Sequence, residues 1–320
     1  MKPDRDLQND DGPPGHDSPY IYGLYKHLTQ DLGWDVKVVI PSSQKSWIGK
    51  AYQITDVIHG RYFYPRGPSE YSTFVTPATC SNVALHNLYP GEIDLVISGP
   101  NLGRNTSAAF SLSSGTIGAA LSSSLSRTRS IALSYGTVTH PVPTEFFDPA
   151  NLLGSRIIRY LWDNWGSDDG GLRHGEVDLY NVNIPMVEGL LSEAGLDVYW
   201  TKVWRNSYGR LFKAHVDEGA KPATSPAGGP DAWDGSPTVV ELREKEEGEG
   251  EKLVFKFAPD MNPLINPARS TLPPGSDAWA IMNGCASVTP LRASFAEPTG
   301  VAEPRETTEQ VDKRLWKMKL

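Results

Sequence analysis

A doubly wound (Rossmann-like) α/β fold with a mostly parallel sheet and an antiparallel β-hairpin extension is what this 320-residue sequence predicts. Three observations point to it. Segments of helical periodicity alternate with short strand-like runs up to Pro185. Runs such as 35–41 and 93–98 are too continuously apolar for strands with one wet face, as expected when helices cover both sides of a sheet. Beyond Pro185 the alternation stops and short aromatic-rich stretches take over, which reads as an antiparallel addition.

The elements follow in order. Residues 17–32 place Tyr20, Ile21, Leu24, Tyr25, Leu28 and Leu32 near helical spacing, with Ser18 suited to the N-cap and Pro19 to the first helical position. Gly33 ends that helix, and 35–41 is a buried strand. A second strand, 93–98, runs straight into a Gly/Asn-rich turn. The small residues of 114–125 suit a helix and 130–134 a strand. Helix 149–164 sets Leu152, Leu153, Ile157, Ile158, Leu161 and Trp162 on its apolar side, and strand 177–183 follows. Segments 198–204 and 209–214 read as the strands of a hairpin. Residues 216–251, rich in Gly, Pro, Ala and Glu, are predicted to be a disordered insertion, after which 252–257 and 286–291 return as strands. The chain is therefore one domain made of 1–215 and 252–320.

Composition narrows the function. A net charge of −8 argues against an extended nucleic-acid surface. Small phosphorylated ligands stay admissible, because a bound divalent cation reverses the local field. Two distant cysteines, Cys80 and Cys285, suit buried thiols in a reducing compartment. No run approaches the roughly 20 apolar residues of a membrane helix. The polar, acidic start lacks the pattern of a secretory signal. The expected location is cytoplasmic, with no membrane partner.

Chemistry concentrates in a few motifs. Asn9-Asp10-Asp11-Gly12 puts two carboxylates before a turn. Neighbouring side chains on an extended backbone point opposite ways, so the turn at Gly12-Pro13 is needed to bring both to one ion. Alone, Asp-Asp-Gly is more often a surface turn; the second motif shifts that balance. Ser98-Gly99-Pro100-Asn101-Leu102-Gly103-Arg104-Asn105 follows a predicted buried strand, and in open α/β sheets ligands sit beyond the carboxyl ends of strands. Asn101 and Asn105 offer amide oxygens to a metal or amide N–H to a phosphate. Two carboxylates, a hydroxyl and an amide oxygen form a hard-oxygen set that suits Mg²⁺ or Mn²⁺, not structural zinc. Ser113, Ser114, Gly115 and Thr116 open a small-residue helix, where N–H groups and hydroxyls hold anions.

Other groups are less decisive. Ser42, Ser43 and Ser46 follow the 35–41 strand, and a hydroxyl there completes a metal shell; the adjacent Trp47 equally suits stacking on a base and ordinary packing. Arg104 suits a phosphate, although a lone loop arginine is more often solvated. His16 and His140 read as surface residues. The sequence has no Walker loop, no Gly-x-Ser-x-Gly elbow and no Cys-x-x-Cys.

These motifs resemble those of the SurE family of survival-protein 5′/3′-nucleotidases and phosphatases, particularly its fungal acid-phosphatase-like branch. The family's Asn-Asp-Asp-Gly matches Asn9 to Gly12, its Ser-Gly-x-Asn-x-Gly-x-Asn matches Ser98 to Asn105, and its Tyr-Ser-Gly-Thr-Val matches Ser113 to Ile117. Its loop serine falls on Ser46. Fainter matches are Thr76-Pro77-Ala78-Thr79-Cys80, Asn181-Val182-Asn183-Ile184-Pro185 and Ser287-Val288-Thr289-Pro290-Leu291. The resemblance implies that Asp10, Asp11, Ser46 and Asn101 bind one divalent cation, Mg²⁺ or Mn²⁺. It implies catalysis by Asp10 and Asp11, with Asn105, Ser114, Gly115 and Thr116 around the substrate phosphate. The implied reaction is hydrolysis of nucleoside monophosphates or other small phosphomonoesters by a homodimer or homotetramer. Direct attack by Asp10 and activation of a water are both open.

The chain departs from the family where the first strand should be. Pro3-Asp4-Arg5-Asp6-Leu7-Gln8 has one apolar side chain, and a central strand of that sequence buries charge at several kcal/mol each. A truncated or mispredicted start, or a shortened strand, is expected, and failure to dock would deprive Asp10 and Asp11 of support. The alternative is therefore a catalytically inactive SurE-like nucleotide-binding or assembly module.

Overall fold

The structure is a computed structural model that describes residues 4–8 (backbone only), 12–14, 18, 20–41, 45–55, 57–60, 76–137, 141–214 and 254–296. Its strands are β1 (Asp4–Gln8), β2 (Asp35–Val38), β3 (Leu95–Leu102), β4 (Arg129–Gly136), β5 (Leu179–Pro185), β6 (Val198–Trp200), β7 (Phe212–Ala214), β8 (Phe255–Phe257) and β9 (Ala286–Leu291). The helices are α1 (Ile21–Lys26), extended by a π-helical turn, α2 (Pro77–Val83), also so extended, α3 (Ser107–Ser113), α4 (Gly115–Leu125), α5 (Phe147–Asp163), α6 (Asn262–Ile265) and α7 (Asp277–Met282).

Seven strands form the main sheet in the order β2-β1-β3-β4-β5-β9-β6. All neighbours in it run parallel except β5 and β9. The predicted fold class is thus the observed one. The charged first strand does form: β1 lies between β2 and β3, with Leu7 opposite Val38 and Gln8 opposite Ser98. It is short, but it is docked on both sides, so failure to dock does not occur.

The sheet's pleat sorts side chains between two layers. Ile131, Leu133 and Tyr135 of β4 join Leu95, Ile97, Tyr180, Val182 and Ile184 in a core with Ile21, Leu24 and Leu28 from the first helix and Ile157, Ile158 and Leu161 from α5. Alternate positions face the other way, where Ala132 and Leu179 meet Ile117 and Ala120 of α4. Small residues let α4 lie close to the sheet, and its serines bond rather than demand water. Ser123 and Ser124 donate back to the Ala119 and Ala120 carbonyls at 3.0 and 3.1 Å, and Ser124 Oγ lies 2.8 Å from Ser130 Oγ on β4.

Several sequence expectations need correcting. The first helix begins at Ile21 after Tyr20, with no side-chain cap from Ser18; Ser18 is instead fully buried. Segments 198–204 and 209–214 do not pair with each other. β6 adds to the main sheet alongside β9, while β7 pairs antiparallel with β8. Three-residue strands with every residue exposed leave no alternation from which to read a partner. Both cysteines are free thiols, but only Cys80 is buried; Cys285 is half-buried. The predicted insertion at 216–251, His16 and His140 lie outside the described residues.

The amino-terminal edge of the sheet has its own anchor. Arg129, the first residue of β4, donates to both Glu176 oxygens at 3.0 and 2.6 Å, and its guanidinium sits 5.0 Å from the rings of both Trp162 and Trp165. The Arg129 hydrogen bond, opposed by burial and reinforced by Arg173, holds the Glu176 carboxyl below its ordinary 4.5. A carboxyl depressed in the folded state stabilises above its unfolded pKa, and that stability is lost as pH falls through the folded value. Glu176→Gln is expected to cost about 1 kcal/mol at pH 7. Its melting temperature should fall less steeply than the wild type's below pH 4.5. Melting curves across that range check both points.

Candidate active site

β1 is paired with β2 up to Leu7, opposite Val38 at the end of β2, and with β3 up to Gln8, opposite Ser98, four residues before the end of β3. Asn9, Asp10 and Asp11 follow Gln8 in sequence. Asp10 and Asp11 themselves lie outside the described residues, which resume at the buried Gly12 (φ +88°).

At the exit of β3, Gly99 adopts φ +124°, and an added Cβ would sit 2.1 Å from the Leu133 carbonyl oxygen. Only glycine fits a backbone pressed this closely against β4. Asn101 is half-buried, and its amide N–H donates to the Gly103 carbonyl at 2.8 Å, a bond that does not use the amide oxygen. Asn105 is buried and held from four directions. Its backbone N–H donates to Asn183 Oδ1 at 2.7 Å and its side chain to Ser134 Oγ at 2.8 Å. Its carbonyl accepts from Asn181 Nδ2 at 2.8 Å and from Ser111 Oγ at 3.1 Å. Asn181 and Asn183 come from the middle of β5 and Ser134 from β4, so the sheet holds this residue from its own side.

Ser114 caps α4, its hydroxyl accepting the Ile117 N–H at 3.2 Å. Gly115 and Thr116 are buried behind it. The loop after β2 rests on this helix start: the Gly49 N–H donates to the Ser113 carbonyl at 2.8 Å. A Cβ on Gly115 would stand 2.9 Å from Ile48 Cγ2 and 3.2 Å from the Lys45 carbonyl oxygen. Ser46 is exposed on that loop. Partial burial lowers the Lys45 ammonium from its ordinary pKa. The helix start and the serine loop, distant in sequence, are thus in contact, while Asn101 stands near the end of β3 and Asn105 three residues beyond it.

Arg104 departs from its sequence reading, and Trp47 takes the second of its two, ordinary packing. Arg104 is not a solvated loop cation but is buried, with Nη1 3.8 Å from Met282 Sδ. Trp47 packs in an aromatic cluster, its ring 5.3 Å from Phe257, 5.8 Å from Tyr208 and 6.2 Å from Phe110. Asp277, which the sequence reading passes over, is completely buried at the start of α7. Its position after Ser276 and before Ala-Trp-Ala-Ile reads locally as an ordinary helix start, and nothing nearby in sequence marks its long-range partners.

The donor chemistry fits a hard cation. Ser46 and Asn101 are neutral oxygen donors of the kind Mg²⁺ and Mn²⁺ accept. Among the described residues no group of three or more His, Cys, Asp or Glu gathers. Negative charge for such an ion would come from Asp10 and Asp11.

A mostly parallel doubly wound sheet with Asn-, Ser- and Gly-rich turns after its strands defines an α/β protein of the Rossmann-like kind. The sequence model described as "Survival protein SurE" matches residues 7–210, and the chain belongs to that family. The probable tubulin–tyrosine ligase PBY1 of Saccharomyces cerevisiae is 32% identical over 252 residues, covering 66% of this chain but 32% of that protein. The chain thus spans about a third of PBY1. The 5′-nucleotidase SurE of Cereibacter sphaeroides (strain ATCC 17025) is 28% identical over 300 residues, covering 93% of this chain and 96% of that one. The crystal structure of the SurE protein from Aquifex aeolicus matches with a TM-score of 0.59 at 22% identity over 97% of each chain, a likeness of fold.

Proposed function

We propose that this protein is a divalent-metal-dependent phosphomonoesterase acting on nucleoside monophosphates. The observation that carries the reading is the seating of the Lys45–Gly49 loop on the first turn of α4, at the sheet edge where β3 delivers Asn101 and Asn105. Membership of the SurE family and relatives named 5′-nucleotidase support it.

In this reading Asp10, Asp11, Ser46 and Asn101 hold one Mg²⁺ or Mn²⁺. When bound, such an ion polarises a phosphoryl oxygen and lowers the pKa of an attacking water. The Ser114 Oγ accepts the Ile117 N–H, which leaves its O–H to donate beside the Gly115 and Thr116 N–H groups at the mouth of α4. They and the Thr116 hydroxyl hold the phosphate, and the α4 dipole favours its charge. Asn105, locked by Ser134 and Asn183, presents its amide without reorganising as charge builds on the transferring group. The ester P–O bond breaks, water supplies the new oxygen and a proton, and nucleoside and inorganic phosphate leave. Asp10 either attacks phosphorus itself or takes the proton from water.

The reading includes a homodimer or homotetramer, which the exposed edge strand β6, with Trp200 56% accessible, supports. The test is phosphate release from AMP compared with p-nitrophenyl phosphate. Hydrolysis of both, with a higher kcat/KM for AMP, is expected. Hydrolysis of p-nitrophenyl phosphate alone would remove the nucleotide from the proposal, and hydrolysis of neither would remove the activity.

A further inference from the structure

Helix α3 begins without a local cap: the Thr106 side chain accepts no hydrogen bond, and the first turn contains no acidic residue. Its first amides are nevertheless all paired, each with a group about a hundred or more residues away. The Ser107 N–H donates to Asp277 Oδ2 at 2.8 Å, the Ala108 N–H to the Trp204 carbonyl at 2.8 Å, and the Ala109 N–H to Asn206 Oδ1 at 2.9 Å. Asp277 Oδ1 also accepts the Trp204 N–H at 2.9 Å and the Ala278 N–H at 2.7 Å. One buried carboxylate therefore joins α3, the arm at 204 and α7. Ser107, which donates to Asp277, holds φ +71°, a left-handed conformation that costs a non-glycine residue about 1 kcal/mol and persists only where its surroundings impose it. Ser107 stands two residues from Asn105.

We infer that Asp277 is a positioning residue for the phosphate site: by accepting the Ser107 N–H, it holds the 105–107 turn in the shape that presents Asn105. The inference rests on the assignment of Asn105 to the phosphate, and it adds a residue from the far end of the chain. Asp277 touches neither substrate nor metal in this account. It acts by removing the freedom that the turn would otherwise lose on binding.

Asp277→Asn isolates the bond. Its amide oxygen keeps the Trp204 and Ala278 N–H groups only by turning its NH₂ toward the Ser107 N–H, so two donors face each other at that one contact. The full-length chain, loaded with Mn²⁺, is titrated with inorganic phosphate, and amide exchange is followed over residues 105–111. Phosphate affinity is expected to fall about tenfold, the effect of a buried N–H losing its acceptor. Exchange at Ser107 should speed up by about as much or more, with Mn²⁺ affinity held within about twofold. Unchanged phosphate affinity would overturn the inference, whether or not exchange accelerates. So would loss of Mn²⁺ affinity in step with phosphate, which marks a general structural role.

Should Asp277→Asn not fold, Asn206→Ala releases the Ala109 amide of the same turn. It should weaken phosphate about threefold, and no change would count against the inference. A wild type that binds phosphate but hydrolyses no ester defeats the phosphatase reading alone, and the titration still judges Asp277. A wild type that binds no phosphate defeats the positioning role directly.

Discussion

Asp11→Asn is expected to lower phosphate release at least about a hundredfold while the fold stays intact, because the change is isosteric and removes one negative charge from the proposed metal shell. Of the four proposed ligands only Asp10 and Asp11 carry charge, and Ser46 and Asn101 are neutral donors. A divalent ion held by one carboxylate and three neutral oxygens loses both affinity and its place relative to the phosphate. The prediction has its structural footing in the docking of β1, whose Gln8 lies opposite Ser98, three residues before Asn101 on β3. Release rates at saturating Mn²⁺, with melting temperatures of both proteins, check it. Near-normal turnover by the variant would sink the metal assignment.

Gly99→Ala should be the most damaging single methyl addition at this edge of the sheet. The residue sits at φ +124°, and the new carbon would lie 2.1 Å from the Leu133 oxygen and 3.0 Å from its carbonyl carbon. These are backbone atoms of a central strand, so neither can swing aside as a side-chain tip would. Left-handed strain and overpacking together should cost about 3 kcal/mol or more. For a domain of this size that corresponds to a fall of about 5–10 °C in melting temperature. Activity should fall further than stability alone explains, because β3 can relieve the clash only by carrying Asn101 and Asn105 away from β4. Gly60→Ala is the control: among the described residues nothing lies within 4 Å of its Cβ, and it should melt with the wild type. Equal melting temperatures for the two variants would contradict the close β3–β4 approach.

The sheet's interior was the most legible part of the sequence. β3, β4 and β5 bury every one or nearly every one of their residues, so their apolar runs are continuous. α5 was equally plain, with Ile157, Ile158 and Leu161 buried and Tyr160 exposed on the opposite side. α2 carried a local signal that went unread: Thr76 caps it by accepting the Thr79 N–H, and Pro77 stands at the first turn. α3 carried none, because its caps come from Asp277, Trp204 and Asn206. β1 shows the converse. Its composition argued against a central strand, yet its pairing on both sides is made by backbone groups, and side-chain character does not report that.

The site divides in the same way. Asn105, Ser114, Gly115 and Thr116 belong to contiguous motifs and could be singled out from sequence. Arg104 was misjudged because burial under Met282 depends on a contact spanning 178 positions. Asp277 was invisible for a similar reason, since two of its three partners lie at Ser107 and Trp204. Burial is the leading influence that raises its pKa, against the pull of backbone N–H groups in the other direction. A buried carboxylate of this kind is recognised only once its partners have been assembled around it.

The most direct test of the central claim is phosphate release from AMP by protein stripped with EDTA, then restored with Mg²⁺ or Mn²⁺. The account predicts no release from the stripped protein and recovery on adding either ion. Undiminished release in EDTA, or no recovery by a folded protein with both ions, would contradict it.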